Sequence, residues 1–258
     1  MKKFLLGTAG LIALGMAPAS AADIASRPYA KAPAPYIQPY YDWSGFYIGG
    51  NAGGGWSHDC WDVTSFRAPV NSFREGCHNA TGAVAGGQVG YRWQSAGWVF
   101  GLEAQGNWAD LTSSNVSSFV PAWTNNTKVE AFGLFTGQVG YAWNNVLWYV
   151  KGGAAVTDNQ FQGTVTSNGR LFDSADNTRW GGVIGTGVEV GFAPNWSVAL
   201  EYDHLFMGNQ SVTTTSQGVL AGIPAGSAFR TDSIHQDVDM VTARINYHFN
   251  WGGGVARY

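Results

Sequence analysis

A chain of 258 residues with a net charge of −3 is long enough for one sizeable domain and offers nucleic acid no electrostatic reason to bind. Charged residues make up only 12% while aromatics reach 14%, with 12 Trp and 36 Gly, a composition poorly suited to a surface bathed only in water. Beyond residue 22, no run approaches the roughly 20 consecutive apolar residues of a membrane-spanning helix, because Gly, Asn, Gln or a charge interrupts each candidate.

In chain order, Lys2 and Lys3 precede an apolar run from Phe4 to Met16 that ends in Ala19-Ser20-Ala21-Ala22. This reads as a signal peptide over residues 1–22, which sends the chain out of the cytoplasm. Residues 23–42 carry Pro28, Pro33, Pro35 and Pro39 among Ala and Tyr, a pattern that resists helix and central strand and reads as an extended periplasmic linker. Residues 43–249 are expected to form the folded domain, and 250–258 a C-terminal tail.

Eight strands are expected: Gly45 to Trp56, Thr81 to Trp93, Trp98 to Trp108, Lys128 to Trp143, Val146 to Val156, Thr178 to Phe192, Trp196 to Phe206 and Val238 to Phe249. Three connections are tight and built of turn residues: Gln94 to Gly97, Asn144-Asn145, and Ala193-Pro194-Asn195. The other four, Ser57 to Ala80, Ala109 to Thr127, Thr157 to Asn177 and Met207 to Asp237, are long and polar. An even strand count with short turns on one side and long loops on the other predicts an all-β, eight-stranded antiparallel up-and-down transmembrane β-barrel of the outer-membrane type, with both chain ends in the periplasm.

Alternation tests this independently, since only one face of a barrel strand touches lipid. In the last strand Val241, Ala243, Ile245, Tyr247 and Phe249 share one face and Thr242, Arg244, Asn246 and His248 the other. The charges Arg92, Glu103, Glu130, Lys151, Arg179, Glu189, Glu201, Asp203 and Arg244 all fall in the polar phase and are expected to point inward, because a Lys or Arg facing mid-membrane lipid costs about 2–4 kcal/mol. With eight strands the interior is just wide enough for side chains, so these charges are expected to pair as a polar plug; a narrow channel using them for selectivity is the competing reading. Phe132, Leu134, Leu147 and Val183 share the inward phase and are expected to fill the lumen. Asp237 and Asp239 occupy the outward phase and are assigned to the part above the membrane.

Trp93, Trp98, Trp143, Trp148, Trp196, Tyr247 and Phe249 gather at the turn side of the strands, and Trp56, Trp108 and Trp180 at the loop side. These read as two interfacial girdles rather than as a sugar-binding platform, which would need the rings to converge on one pocket.

Cys60 and Cys77 are the only cysteines and both lie in the first long connection, so oxidation in the periplasm predicts a disulfide. His58 and His78 flank them, but the spacing matches no zinc motif, and no metal or other cofactor is expected. Asp203-His204 is the most catalytic-looking pair; adjacent strand residues face opposite ways, so this carboxylate cannot serve its own imidazole, and no enzyme activity is assigned.

The segment Asp42-Trp43-Ser44-Gly45-Phe46-Tyr47-Ile48-Gly49-Gly50-Asn51-Ala52-Gly53 resembles the opening strand of the alphaproteobacterial outer-membrane immunogenic proteins, a porin-like group of small OmpA/OmpX-type barrels. Gly86-Gly87-Gln88-Val89-Gly90-Tyr91, Gly137-Gln138-Val139-Gly140-Tyr141-Ala142-Trp143, Leu200-Glu201-Tyr202-Asp203-His204 and Ala243-Arg244-Ile245-Asn246-Tyr247-His248-Phe249 reinforce the resemblance. It implies a Gram-negative outer-membrane protein with a structural and surface-display role. The partners it implies are outer-membrane lipid and lipopolysaccharide, the barrel-assembly machinery during insertion, and a host or surface ligand at the external loops. A small-solute channel and a loop-borne adhesin are the alternatives.

Overall fold

A computed structural model describes residues 41–66 and 69–249 of the chain. The signal peptide, the linker up to residue 40 and the tail 250–258 lie outside the described residues. Eight strands, β1 (Gly45–Phe66), β2 (Pro69–Ser95), β3 (Trp98–Val116), β4 (Trp123–Trp143), β5 (Val146–Val165), β6 (Leu171–Ala193), β7 (Trp196–Ser216) and β8 (Ala228–Phe249), follow one another around a closed barrel. Every neighbouring pair is antiparallel, and β1 closes on β8 through a register that runs from Phe46↔Phe249 to Phe66↔Arg230. Closure leaves no free sheet edge, the condition under which strands can cross a bilayer.

The tight turns fall where expected, between β2 and β3, β4 and β5, and β6 and β7. Two of them place a non-glycine residue at positive φ, Ala96 (φ 55) and Asn144 (φ 53). Asparagine tolerates that region because its short amide can bond locally.

The strands are longer than the hydropathy pattern indicates, from 19 residues in β3 to 27 in β2. Much of the four expected loops is therefore sheet. Above the lipid both faces of a strand can be polar, so the alternation that marks a membrane strand fades while backbone pairing continues. Among the described residues, the connections left on that side run over 117–122, 166–170 and 217–227.

The phase of the pleat changes inside this outer half. In β4, Phe132 and Leu134 are buried, and so are Val129, Thr127 and Asn125, on the opposite parity. The switch is a bulge: Ala131 pairs with Asp158 and Val129 with Asn159, leaving Glu130 as the extra residue. Glu130 is consequently exposed and pairs with Lys128 at 3.2 Å, which corrects its expected place in the lumen network. Gly76 (φ 136) and Gly208 (φ 64) sit at comparable irregularities in β2 and β7. In each, glycine supplies a conformation that other side chains resist.

The exterior is apolar over the band crossed by all eight strands, with Leu102 62% and Leu200 61% exposed. Trp93, Trp98, Trp143, Trp148, Trp196 and Phe249 are exposed at the turn end, Tyr247 half-buried beside them, and Trp56, Trp108 and Trp180 are exposed at the other end. Their rings point outward around the wall, so they form no common pocket.

Candidate functional site

Side chains fill the barrel interior in layers, and β8 serves as a ruler for them. Its inward residues from the turn end upward are His248, Asn246, Arg244, Thr242, Met240, Val238, Gln236, Ile234, Asp232 and Arg230, all buried. Along β8 this order runs polar, charged, polar, apolar, polar, apolar, charged.

At the turn end, Tyr41 and Trp43 close the mouth with Val99, Ala142, Leu147 and Tyr149. Tyr41 and Asp42 belong to the expected linker, so the barrel begins slightly earlier than its first strand; the Tyr41 ring lies tilted 4.5 Å from Trp43 and edge-on 5.9 Å from His248. Aromatic rings here cover the apolar floor of the lumen.

Above that floor lies the charge network. Arg92 on β2 reaches Glu189 on β6 at 2.8 Å and lies 4.4 Å over the Tyr47 ring. Glu189 also accepts from Asn246 Nδ2 at 2.9 Å and from the Ser197 hydroxyl. Arg244 is held between Glu103 and Glu201. Lys151 Nζ contacts Glu201 Oε1 at 2.7 Å, Asp203 Oδ1 at 3.2 Å and Glu103 Oε1 at 3.5 Å. The Tyr47 and Tyr149 hydroxyls donate to Glu103 Oε2 and Glu201 Oε2, each at 2.6 Å. Seven of the charged residues that sequence phase sends inward thus meet in one connected cluster.

An apolar septum follows, built by Phe132, Leu134 and Val183 with Val84, Leu111, Leu205, Val238 and Met240. Arg179 is also inward but lies beyond the septum, apart from the cluster; it donates to the Ile234 carbonyl at 2.9 Å and to Gln236 Oε1 at 3.5 Å. Its height follows from its place at the outer end of the membrane portion of β6, directly before Trp180.

Sequence reasoning missed a second charged cluster near the outer rim. Arg230 Nη1 donates to Glu75 Oε2 at 2.7 Å, Nε to Asp173 Oδ2 at 2.9 Å and Nη2 to Asn125 Oδ1 at 2.8 Å. Asp232 Oδ2 lies 3.2 Å from Arg230 Nε, and among the described residues neither of its oxygens accepts a hydrogen bond. Three buried carboxylates therefore surround one guanidinium. Burial pushes the Asp232 carboxyl up to about 7, against the pull of Arg230 and with the help of Glu75 and Asp173. Burial likewise raises Asp173. The available signal was phase: Arg230 and Asp232 continue the even-numbered inward row of β8. Phe66, Trp123, Phe172 and Phe229 cap this cluster, with ring centroids 5.0–5.9 Å apart.

On the outer wall, Cys60 and Cys77 are directly opposite across β1 and β2 and form a disulfide. Asp203 and His204 diverge as strand geometry requires: Asp203 faces Lys151 inside, while His204 Nδ1 meets Asp239 Oδ1 outside at 2.7 Å. Tyr202 donates to the same carboxylate oxygen at 2.6 Å. Asp239 and Asp237 thus lie on the outside of the barrel, with His235 3.2 Å from Asp237.

A family model described as an outer membrane protein beta-barrel domain matches residues 8–249. The chain is 32% identical over 241 residues to the 31 kDa outer-membrane immunogenic protein of Brucella melitensis biotype 1, covering 85% of this chain and 93% of that protein. It is 29% identical over 170 residues to the 22 kDa outer membrane protein of Rhizobium leguminosarum bv. viciae, covering 64% and 65%. Among solved structures it is similar to the outer membrane protein OprG of Pseudomonas aeruginosa, at 11% identity and a TM-score of 0.45, over 80% of this chain and 97% of that one.

Proposed function

Since this chain belongs to the outer-membrane β-barrel family of the alphaproteobacterial outer-membrane immunogenic proteins, and so to the outer membrane of a Gram-negative bacterium, we propose that it is a structural and surface-display barrel with a closed lumen. The observation that carries this reading is Arg244 clasped by Glu103 and Glu201, with Lys151 bridging the same two carboxylates. Charges poised for conduction would face water, whereas these side chains are at most 1% exposed and neutralise one another across the bore. The apolar septum above them and the aromatic closures at both ends act in series with the plug.

In this reading the chain performs no reaction, both termini are periplasmic, and the outer half of the barrel stands clear of the bilayer as a stiff display surface. Lipid and lipopolysaccharide surround the apolar band, and the assembly machinery inserts it. A rigid extended sheet presents its outward residues at low conformational entropy, which favours durable recognition of that surface by other molecules. Liposome swelling tests the closed lumen: vesicles carrying the refolded mature protein are expected to swell in a pentose no faster than protein-free vesicles, and fast swelling that depends on the barrel would replace this reading with that of a small-solute channel.

A further inference from the structure

The outer wall above the girdle sets one imidazole beside the two bonded sulfurs of the disulfide, without any sequence motif. His58 and Cys60 are two residues apart on β1 and share its outward face, and Cys77 is the direct cross-strand partner of Cys60. One ligand atom from each lies within 4.8 Å of the others. His58 and Cys77 are exposed and Cys60 is half-buried, so solvent reaches the group.

His58 is held in one orientation by the neighbouring strand. Its Nδ1 lies 2.6 Å from Asn79 Oδ1, the residue opposite it on β2. An amide oxygen only accepts, so Nδ1 donates this bond, and in the neutral ring the lone pair is on Nε2. That nitrogen points at Cys60 Sγ, 3.5 Å away. A histidine whose distal nitrogen is anchored by a hydrogen bond while the other faces sulfur has the arrangement of a metal ligand with its outer-shell partner.

We propose that His58, Cys60 and Cys77 form a thiol-gated site for a thiophilic divalent cation of the zinc class. Oxidised, the two sulfurs are bonded to each other and offer little to a metal. Exchange with an external dithiol breaks the Sγ–Sγ bond; the dithiol is oxidised to its own disulfide, and its two electrons and two protons leave Cys60 and Cys77 as thiols. Binding of the cation displaces those two protons to solvent and forms two thiolate bonds and one imidazole bond. A fourth position stays open to water, the pattern of an exchangeable rather than a sealed zinc site. The strand register sets Cys60 opposite Cys77 and His58 opposite Asn79.

The test uses the refolded mature protein, reduced with a phosphine, freed of reductant under argon and titrated with Co²⁺ and then Zn²⁺. The expected result is one equivalent of Co²⁺ with a thiolate-to-cobalt charge-transfer band that Zn²⁺ bleaches, and no such band for the oxidised protein. His58→Ala and Asn79→Ala are each expected to weaken Co²⁺ binding on the order of 10–100-fold. The double variant Cys60→Ser with Cys77→Ser is expected to fold, shown by its heat-modifiable migration, and to give no band. Three results would overturn the proposal: a folded, reduced barrel without the band, a His58→Ala protein with unchanged affinity, or a barrel that unfolds once the disulfide is reduced.

Discussion

Arg92 and Glu189 meet at 2.8 Å although they sit on β2 and β6, strands on opposite sides of the barrel, and both side chains are fully buried. The pair ties the two walls together through the lumen, with Tyr47 and Tyr149 rings flanking the guanidinium at 4.4 and 5.5 Å. Removing one member strands the other charge where water does not reach. Glu189→Ala or Arg92→Ala is therefore expected to lower the unfolding free energy by about 3–5 kcal/mol. Replacing both together, Arg92→Met with Glu189→Leu, is expected to recover most of that loss, because no charge is then left unpaired. Urea unfolding in lipid vesicles compares the three.

The rim cluster predicts a pH dependence of the opposite sign to a simple salt bridge. Asp232 holds its proton up to about 7 in the folded barrel, above the ordinary aspartate value of 3.8, because it is buried among Glu75 and Asp173. The folded state thus binds more protons than the unfolded one between those two values. Its contribution to stability is full below about pH 4 and is lost as pH rises through about 7. Asp59, which burial raises to about 6, adds a term of the same sign. Trp61 packs beneath Arg230 at 5.3 Å, so its fluorescence should report the outer half loosening as pH rises over this range. Asp232→Asn, a permanently neutral side chain, is expected to flatten the response.

Depth should decide the cost of charge on the outer wall. Leu102 lies between Trp98 and Trp108 on β3, and Leu102→Arg is expected to cost about 2–4 kcal/mol, while an arginine at Trp108 carries a charge penalty of only about 0–1 kcal/mol. Equal costs at the two positions would mean that the apolar band is not centred where the aromatic residues indicate.

The disulfide closes the β1–β2 hairpin over a separation of 17 residues. Replacing both cysteines by serine is expected to lower stability by about 3 kcal/mol, chiefly by freeing the unfolded chain, and to leave the barrel intact. Equilibrium unfolding with and without a reductant measures it.

Much of this architecture was legible because bilayer physics simplifies the pattern. Between the girdles a strand must be apolar outside, so Arg244, Glu103 and Lys151 could be sent inward by parity alone, and Phe132, Leu134, Leu147 and Val183 could be read as filling. Above the membrane that constraint disappears. Strand extensions through Cys60, Asp173 and Arg230 look like polar loops, and the rim cluster is assembled from residues as far apart as Glu75 and Arg230. Glu130 misled for a different reason: a single bulge residue inverts parity, and nothing in the local residue types announces it. Parity gives Arg179 the correct face but not its neighbours, since it fixes direction and says nothing of height.

Single-channel recording in planar lipid bilayers tests the closed lumen most directly, with the refolded protein compared against a variant in which Glu103, Glu201 and Arg244 are all replaced by alanine. A closed lumen gives silence from the wild-type barrel, and silence from the variant as well, because the septum of Phe132, Leu134, Val183 and Met240 and the floor of Trp43 still block the bore. Steady, resolvable conductance from the wild-type barrel would contradict it and make the buried charges the lining of a pore.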